Sequence, residues 1–209
     1  MAIPTVAVGG PVTASETNLL VSSANSIALT GTIPNLTAPA TGSAIVSPNG
    51  QITFTNVDGV HINGCFTGGY ANYRVVFNIT GRSAAQPVQL RLRQAGTDLA
   101  SATYGYVRQI VTGSTTQAPL TATASTLVQL DTGAAAGASL DGYIDIFGPT
   151  SAVYTAMTGN FTAWSSAAPS LYLIGIQNST AAASDGMTIY PNGGTFSGTV
   201  RVYAYNNLV

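Results

Sequence analysis

The stretch VQLRLRQ (Val88–Gln94) indicates most plainly how this chain folds. Leu90 and Leu92 alternate with Arg91 and Arg93, and successive side chains of a strand point to opposite faces. Alternation of apolar and polar residues with a period of two is typical of a half-buried β strand. The stretch therefore predicts a strand whose leucines face inward and whose arginines face outward.

Similar patterns recur along most of the chain between turns rich in glycine, proline and asparagine, whereas amphipathic helical periodicity is almost absent. AIVSPNGQITFTNV reads as a hairpin around Pro48-Asn49-Gly50, because Asn-Gly supplies the positive φ that a tight turn requires. About eight to ten antiparallel strands favour an all-β, jelly-roll-like sandwich. The other predicted strands lie in YRVVFNIT (Tyr73–Thr80), ATYGYVRQIV (Ala102–Val111), STLVQL (Ser125–Leu130), GYIDIFG (Gly142–Gly148), SLYLIGIQN (Ser170–Asn178) and GTVRVYAYN (Gly198–Asn206).

The first 45 residues differ from the rest, because their scattered apolar residues are interrupted by Pro34, Pro39 and several glycines. Such a segment cannot form a core by itself, so it is either a flexible linker or an extended arm that orders against neighbouring subunits. The strand-competent SIALT within it favours the arm. We therefore expect an extended N-terminal arm over residues 1–45 and a β-sandwich domain over residues 46–209.

Charged residues are scarce, at 6% of the chain against the usual ~25%. All six cations are arginines, which fits two compatible explanations: a high-GC genome, or a surface that is covered in an assembly and needs no charge. The net charge of −1 argues against a nucleic-acid partner. The N-terminus lacks the basic region of a signal peptide, and the uncharged run 17–57 is too polar for a membrane helix, so we expect no membrane insertion.

One short segment, GVHINGCFTGGY (Gly59–Tyr70), contains the only histidine and the only cysteine, with Asp58 just before it. A thiolate–imidazole pair needs hydrogen-bond reach, and zinc needs three or four ligands. On a strand His61 and Cys65 share a face but lie ~13 Å apart unless the chain bends at Gly64. We expect Cys65 to be a small buried side chain, His61 to lie on a solvent or subunit face, and no metal or other cofactor to be held.

Carboxylates for acid–base catalysis are few, since the chain has only seven acidic residues. Asp141 and Asp145 form the closest conspicuous pair, yet on a strand they would lie ~13 Å apart, beyond the ~5 to 9.5 Å that glycoside hydrolysis uses. Acids distant in sequence could still meet, so a glycosidase stays a minor alternative. No serine-hydrolase, zinc-protease, phosphate-loop or calcium-loop motif occurs, and we expect a non-enzymatic protein with no catalytic residues.

Tyrosine is the abundant side chain with recognition potential, at ten copies. Tyr104 and Tyr106 form one i,i+2 pair and Tyr203 and Tyr205 another, so each pair places two rings on one face of a strand. Such rings serve either cross-strand packing or contact with a subunit or a sugar. Trp164, in a segment predicted to be a loop, joins these four tyrosines as a candidate interface or glycan-contact residue.

Four segments taken together resemble one group of known proteins: INGCFTGGYANYRVVFNITG, VQLRLRQAGTDLASATYGY, IDIFGP and GTFSGTVRVYAYNN. The group comprises virion proteins of tailed bacteriophages, mostly minor tail or tail-fibre-like proteins of phages that infect actinobacteria. The matching segments cover roughly Ile52 to Asn207. The resemblance implies a non-enzymatic β-sandwich built into the virion as a symmetric oligomer, with a trimer as the expected form, and offers no catalytic motif to transfer.

We accordingly expect a structural virion protein whose arm attaches the sandwich to the tail or capsid and which contributes to host-surface attachment. Its expected partners are further copies of itself, tail or major capsid proteins, and a host cell-surface glycan, within a virion assembled in the bacterial host cytoplasm. Capsid decoration that stabilises the head shell is an alternative that the sequence leaves open. A glycan-binding module is an alternative of another class.

Overall fold

The computed structural model describes residues 29–205, except residues 33, 114, 118, 134 and 165–167. Within this part of the chain, β strands are joined by turns and loops, and no helix occurs. The strands are β1 (Leu29–Gly31), β2 (Asn35–Thr37), β3 (Ser43–Val46), β4 (Ile52–Val57), β5 (Val60–Asn63), β6 (Asn72–Arg82), β7 (Val88–Gln94), β8 (Thr97–Asp98), β9 (Tyr104–Thr112), β10 (Thr115–Thr116), β11 (Leu120–Ser125), β12 (Val128–Gln129), β13 (Ser139–Phe147), β14 (Thr155–Trp164), β15 (Pro169–Asn178), β16 (Gly186–Pro191) and β17 (Phe196–Tyr205).

The strands form two antiparallel sheets. The large sheet has eleven strands in the order β10-β9-β15-β14-β13-β6-β17-β4-β3, with β1 added on β17 and β11 on β9. The small sheet has six strands in the order β12-β7-β16-β5-β2, with β8 added on β7. The prediction of an all-β antiparallel sandwich is therefore confirmed. More strands are present than the sequence pattern predicted: besides strands of two to four residues, the six-residue β11 and β16 and the ten-residue β14 have no counterpart among the predicted strands.

The core lies between the two sheets and is supplied by alternate residues of the long strands. Burial alternates without a break along β17, which places Val200 and Val202 in the core. Phe77 of β6 packs against Phe161 of β14 with ring centroids 5.3 Å apart, in a tilted arrangement of the kind that aromatic pairs favour. Removal of these side chains from water is the main favourable contribution to folding.

Several polar connections join the sheets, among them the hydrogen bond that Arg108 Nη1 of β9 donates to the carbonyl of Gln129 in β12 at 2.9 Å. The backbone N–H of Leu92 in β7 donates to Tyr104 Oη of β9 at 2.9 Å. Asp131, fully buried after β12, accepts a hydrogen bond from Arg82 Nη1 of β6 at 2.5 Å and another from the backbone N–H of Val88 in β7 at 2.8 Å. A buried charge is costly unless it is paired and hydrogen-bonded. Loss of either Arg82 or Asp131 would leave the other charge buried without a partner and would therefore destabilise the fold.

The hairpin predicted around Pro48-Asn49-Gly50 is present, and β3 and β4 are its two strands. Gly50 has a φ of +82°, a conformation that costs glycine little, and its N–H donates to the carbonyl of Ser47 at 2.9 Å. The sequence signal at this turn therefore identified both the turn and the strands beside it.

Of the N-terminal arm predicted over residues 1–45, residues 1–28 lie outside the described residues. The described remainder contributes strands to both sheets: β1 pairs with the end of β17, β2 with β5 of the small sheet, and β3 with β4. Leu29 lies opposite Tyr205. The described chain therefore begins and ends side by side, at one end of the sandwich.

The opposite end of the sandwich carries Trp164, the last residue of β14. The neighbouring residue Ala163 shares a row of paired residues with Gly198, near the start of β17, through β13 and β6. Because β17 runs from this row towards Tyr205, Trp164 and Tyr205 lie at opposite ends of the large sheet.

Candidate interaction surface

Three adjacent strands of the large sheet, β9, β15 and β14, turn alternate residues away from the core. None of the outward residues is charged, and the structure describes every residue of these strands. The one charged residue that they contain, Arg108, points inward and is 1% exposed. We call the outward residues the uncharged face. It consists of the odd-numbered residues of β9 from Gly105 to Val111, the even-numbered residues of β14 from Ala156 to Trp164, and the odd-numbered residues of β15 from Pro169 to Gln177.

The uncharged face exposes large apolar side chains near its centre. Val107 of β9 is 48% exposed, and Leu171 and Leu173 of β15 are 37% and 44% exposed. Leu171 and Leu173 lie two residues apart on one side of β15, and Val107 lies diagonally across from Leu173, which pairs with Gln109, while Val107 pairs with Gly175. Contiguous exposed apolar side chains indicate an interaction surface, whereas single ones scattered over a protein need no explanation.

Trp164 stands at one end of the uncharged face and is 60% exposed. The prediction that it lies in a loop is wrong, because it pairs with Ser139 of β13 and Pro169 of β15. The sequence of β14, TAMTGNFTAW, contains no valine or isoleucine, so its strand conformation is fixed by backbone pairing with the strands on either side. The ring of Trp164 is accessible to a partner. A contact role for this residue stays a prediction.

A charged and aromatic cluster lies next to the uncharged face, on the outward side of β13, β6 and β17. Arg74 donates two hydrogen bonds to Asp145, each of 2.7 Å, and its guanidinium carbon lies 4.1 Å from the ring centroid of Tyr143. Tyr205 Oη donates to the same carboxylate at 2.6 Å. Bidentate pairing of this kind is strong, and it leaves the cluster without net charge.

These contacts change the pKa values of the cluster. Burial opposes ionisation of Asp145, but the hydrogen bonds from Arg74 and Tyr205 outweigh it, so the pKa of Asp145 lies below its usual value. Burial and the hydrogen bond to Asp145 raise the pKa of Tyr205 to about 12. At neutral pH Asp145 is therefore ionised and Tyr205 keeps the proton that it donates.

The two tyrosine pairs occupy different environments. Tyr104 is fully buried and Tyr106 is 8% exposed, because both face inward along β9. Their rings pack in the core, which corrects their assignment as candidate contact residues. Tyr203 and Tyr205 face outward from β17 and are half-buried, with the guanidinium carbon of Arg201 5.0 Å from the ring centroid of Tyr203. A contact role for Tyr203 and Tyr205 stays a prediction.

Asp141 and Asp145 do not form a pair suited to glycoside hydrolysis. Both lie in β13 four residues apart, which at ~3.3 Å per residue separates them by ~13 Å. Asp141 accepts a hydrogen bond from Asn78 Nδ2, and Asp145 is held by Arg74 and Tyr205. Each carboxylate is therefore engaged by a neighbour across the sheet, at a distance from the other that exceeds the ~5 to 9.5 Å used in glycosidases.

A turn divides the segment that contains the only cysteine and histidine. β5 ends at Asn63, and Gly64 has a φ of +63°, a left-handed conformation that favours glycine. Cys65 thereby enters the core, where burial raises the pKa of its thiol. The expectation of a small buried side chain is confirmed, whereas the expectation that Cys65 shares a face with His61 is wrong. Among the described residues, no group of three His, Cys, Asp or Glu side chains could hold a metal ion.

His61 belongs instead to a polar network on the outer side of the small sheet. Arg93 Nη1 lies 3.0 Å from His61 Nδ1, 2.8 Å from Thr188 Oγ1 and 2.5 Å from Asp98 Oδ1. The predicted outward direction of Arg93 holds, but the network covers its side chain and leaves the residue 5% exposed. Thr188 Oγ1 donates to Asp98 at 2.6 Å. Thr188 Oγ1 also lies 3.1 Å from His61 Nδ1, so the imidazole, the hydroxyl, the guanidinium of Arg93 and the carboxylate of Asp98 form one hydrogen-bonded network.

The protein is expected to lose stability over the pH range that begins at about 6.5, the usual pKa of histidine, and extends below it. Burial, reinforced by the charge of Arg93, lowers the pKa of His61 from 6.5, although Asp98 and Asp58 oppose the shift. The unfolded state then binds a proton before the folded state does. The contribution of His61 is therefore fully present above pH 6.5 and is lost as the pH falls through the folded pKa. Melting temperatures measured across this range test the expectation.

The control for this pH dependence is the variant His61→Asn. The chain has one histidine, so the variant should show a flatter dependence of melting temperature on pH over the same range. An equally steep dependence in the variant and the parent would contradict the assignment to His61.

A shallow cleft of about 250 Å³ opens at the end of the uncharged face that is remote from Trp164. Its walls include Gly105 and Gln177, which pair across β9 and β15, with Thr103 and Ser179 beyond them. Its lining contains no charged side chain. The cleft therefore extends the neutral character of the face to the end of the sheet.

The fold and this surface define an all-β sandwich protein with a broad sheet face that carries no charge. The sequence matches no protein-family model and no curated protein. A crystal structure of a protein of unknown function from Shewanella oneidensis MR-1 is similar over 97% of this chain and 98% of that chain, with 13% sequence identity and a TM-score of 0.28. A likeness this distant supports no statement about function. The described residues include no helix that could cross a membrane.

Proposed function

We propose that the chain is a non-enzymatic structural component of a bacteriophage virion. It is an oligomeric β-sandwich that is attached to the tail or capsid through its N-terminal arm, and it contributes to host-surface attachment. The observation that carries the proposal is the uncharged face, in which three adjacent strands expose apolar and neutral polar side chains only. The resemblance of Ile52 to Asn207 to minor tail and tail-fibre-like proteins supplies the setting.

The physical basis of the proposal is the cost of burying charge. Removal of an ionised side chain from water is expensive, whereas neutral side chains can be covered at little cost when their hydrogen bonds are satisfied. A protein that stays fully solvated relies on surface charge, because a net charge near zero promotes association. A chain with 6% charged residues and a neutral sheet face is therefore better suited to be a subunit of an assembled particle than a solvated monomer.

The positions of the two described chain ends agree with attachment at one end. β1 brings the chain into the large sheet beside Tyr205, and Trp164 lies at the other end of that sheet. An arm that reaches the particle from the Leu29 end would leave the Trp164 end free for a neighbouring subunit or a host surface.

The proposal is tested on particles of the phage that encodes the chain. Mass spectrometry of purified virions should detect the chain in a fixed ratio to the major structural proteins, and cryo-EM should reveal a sandwich-sized density at each copy. Density on the tail would support the tail-attached form, and density on the head shell would support capsid decoration. Absence of the chain from purified virions would contradict the proposal in both forms.

A further inference from the structure

We infer that the shallow cleft at the edge of the large sheet is a binding site for one ring of a neutral saccharide. The inference rests on the proposed function, because host-surface attachment requires a ligand on the host, and it adds where that ligand binds and its chemical class. The cleft has a volume of about 250 Å³ and lies where β11, β9 and β15 meet. Pockets for drug-sized ligands measure about 300–1,000 Å³, so this cleft suits a single small ring.

The floor of the cleft is Gly105, on the outward side of the middle strand β9. The backbone does not require a glycine at this position, because the φ of Gly105 lies outside the left-handed region. A Cβ added to Gly105 would lie 3.7 Å from the carbonyl oxygen of Ala122, which is an ordinary contact distance. The missing side chain therefore keeps the cleft open and relieves no strain.

One wall of the cleft is an irregular part of β11. The register with β9 shifts between Ala122 and Ser125, which leaves Thr123 and Ala124 opposite Gly105. A bulge of this kind redirects side chains and is over-represented next to active sites. Ala124 has a φ of +54°, which is costly for a residue with a Cβ. Such strain clusters at functional sites, and here it lies in the wall of the cleft.

The opposite wall carries Gln177 of β15, which pairs with Gly105. Gln177 and Thr123 are exposed, and in the part of the chain that the structure describes neither side chain has a hydrogen-bond partner. The end of the cleft is fixed, because the hydroxyl and the backbone N–H of Ser179 both donate to the carbonyl of Thr103, at 3.2 Å and 3.0 Å. An amide and a hydroxyl that are free to bind therefore flank a rigid floor.

The chemistry of the lining favours a neutral, hydroxyl-rich ligand. Amide and hydroxyl groups both donate and accept hydrogen bonds, as the hydroxyls of a sugar do. Gly105, Ala102 and Ala124 offer small apolar surface to the C–H groups of a sugar ring. No charged side chain lines the cleft, so a charged ligand would lose water without gaining an opposite charge.

The position of the cleft keeps it clear of the N-terminal arm. Leu29 pairs with the end of β17, and β9 lies five strands away from β17 in the large sheet. At ~4.8 Å per strand, the cleft is about 24 Å from β17 across the sheet. A saccharide chain can therefore reach the cleft from the side while the arm holds the sandwich on the particle.

The experiment measures the binding of free sugars to the 209-residue chain by saturation-transfer NMR. The neutral probes are the methyl glycosides of glucose, galactose, mannose, rhamnose and N-acetylglucosamine, and the charged probes are glucuronic acid and glucosamine. At least one neutral probe should bind with a dissociation constant on the order of 1–10 mM, as expected for one ring in a shallow site. Both charged probes should bind at least about 10-fold more weakly than this neutral probe.

Three variants locate the site. Gly105→Val should weaken binding of the neutral probe at least about 10-fold, because the branched side chain occupies the floor. Gln177→Ala should weaken it about 3- to 10-fold through the loss of one hydrogen bond, and guards against a folding defect of the first variant. The matched control is Gly175→Val, on the same sheet face outside the cleft, where an added Cβ would lie 3.7 Å from Val107 Cγ1. The control should bind the probe as the parent does, and all three variants should keep the circular dichroism spectrum of the parent.

Four outcomes would overturn the inference. Two concern the ligand: no neutral probe binds, or a charged probe binds as tightly as the best neutral one. Two concern the site: binding is unchanged in both Gly105→Val and Gln177→Ala, or Gly175→Val weakens binding as much as Gly105→Val does. If no neutral probe binds while the chain is present in purified virions, only the inference fails. Absence from virions removes the proposed function, and binding that Gly105→Val abolishes would still stand as a property of the cleft.

Discussion

Replacement of Asp131 by alanine is expected to lower the free energy of unfolding by about 3–5 kcal/mol. The variant leaves the guanidinium of Arg82 inside the protein without its carboxylate, and the backbone N–H of Val88 without its acceptor. Because Arg82 lies in the large sheet and Val88 in the small sheet, the loss falls on the contact between the sheets. Urea unfolding followed by circular dichroism measures the change.

Two variants separate the parts of this effect. Asp131→Asn keeps an oxygen that can accept from Val88 and loses only the charge, so its loss should lie between that of Asp131→Ala and zero. Asp141→Ala removes a carboxylate from the outward side of β13 and should cost less than about 1 kcal/mol. A cost of Asp131→Ala as small as that of Asp141→Ala would contradict the central role of the buried pair.

Phe161→Ala is expected to cost about 3–5 kcal/mol. The Phe161 ring covers two glycines: a Cβ built on Gly159 would lie 2.4 Å from its Cζ, and one built on Gly142 would lie 3.0 Å from its Cδ1. On another side the ring packs against Phe77. The two glycines have no side chains to fill the space that the ring would leave, so a cavity should remain and the full cost should appear.

The control for this variant is the same substitution at an exposed site. Phe147 of β13 is 40% exposed, and Phe147→Ala should cost less than about 1 kcal/mol in the same urea experiment. Similar losses for the two variants would show that the space around Phe161 closes when the ring is removed.

Most of the fold could be predicted where strands alternate visibly between apolar and polar residues. VQLRLRQ predicts that Leu90 and Leu92 face the core, and both are fully buried in β7. β14 could not be predicted in this way, because threonine, alanine and glycine in TAMTGNFTAW carry little information about burial. Its strand conformation follows from backbone pairing with β13 on one side and β15 on the other. This pairing exists only in the folded sheet and is not visible in the residues of β14 themselves.

The candidate surface was only partly predictable. The sequence makes Trp164 a candidate contact residue but not an exposed one. It does not distinguish Tyr104 and Tyr106 from Tyr203 and Tyr205, because an i,i+2 spacing gives a shared face but not which face is inward. The uncharged face did leave a signal in the sequence: SLYLIGIQN contains no charge although alternate residues of a half-buried strand meet water. The sequence does not show that this strand lies between two other strands without outward charges. The sheet order, which places β15 between β9 and β14, reveals the surface.

The pairing of Leu29 with Tyr205 has a mechanical consequence. A pull that separates the two described chain ends would open the pairs between β1 and β17 one after another, starting at Leu29, and would meet little resistance. A pull between that end and Trp164 runs along the strands and loads the hydrogen bonds of β17, β6, β13 and β14 together. The same molecule is therefore weak when its two ends are drawn apart and strong under tension along its length.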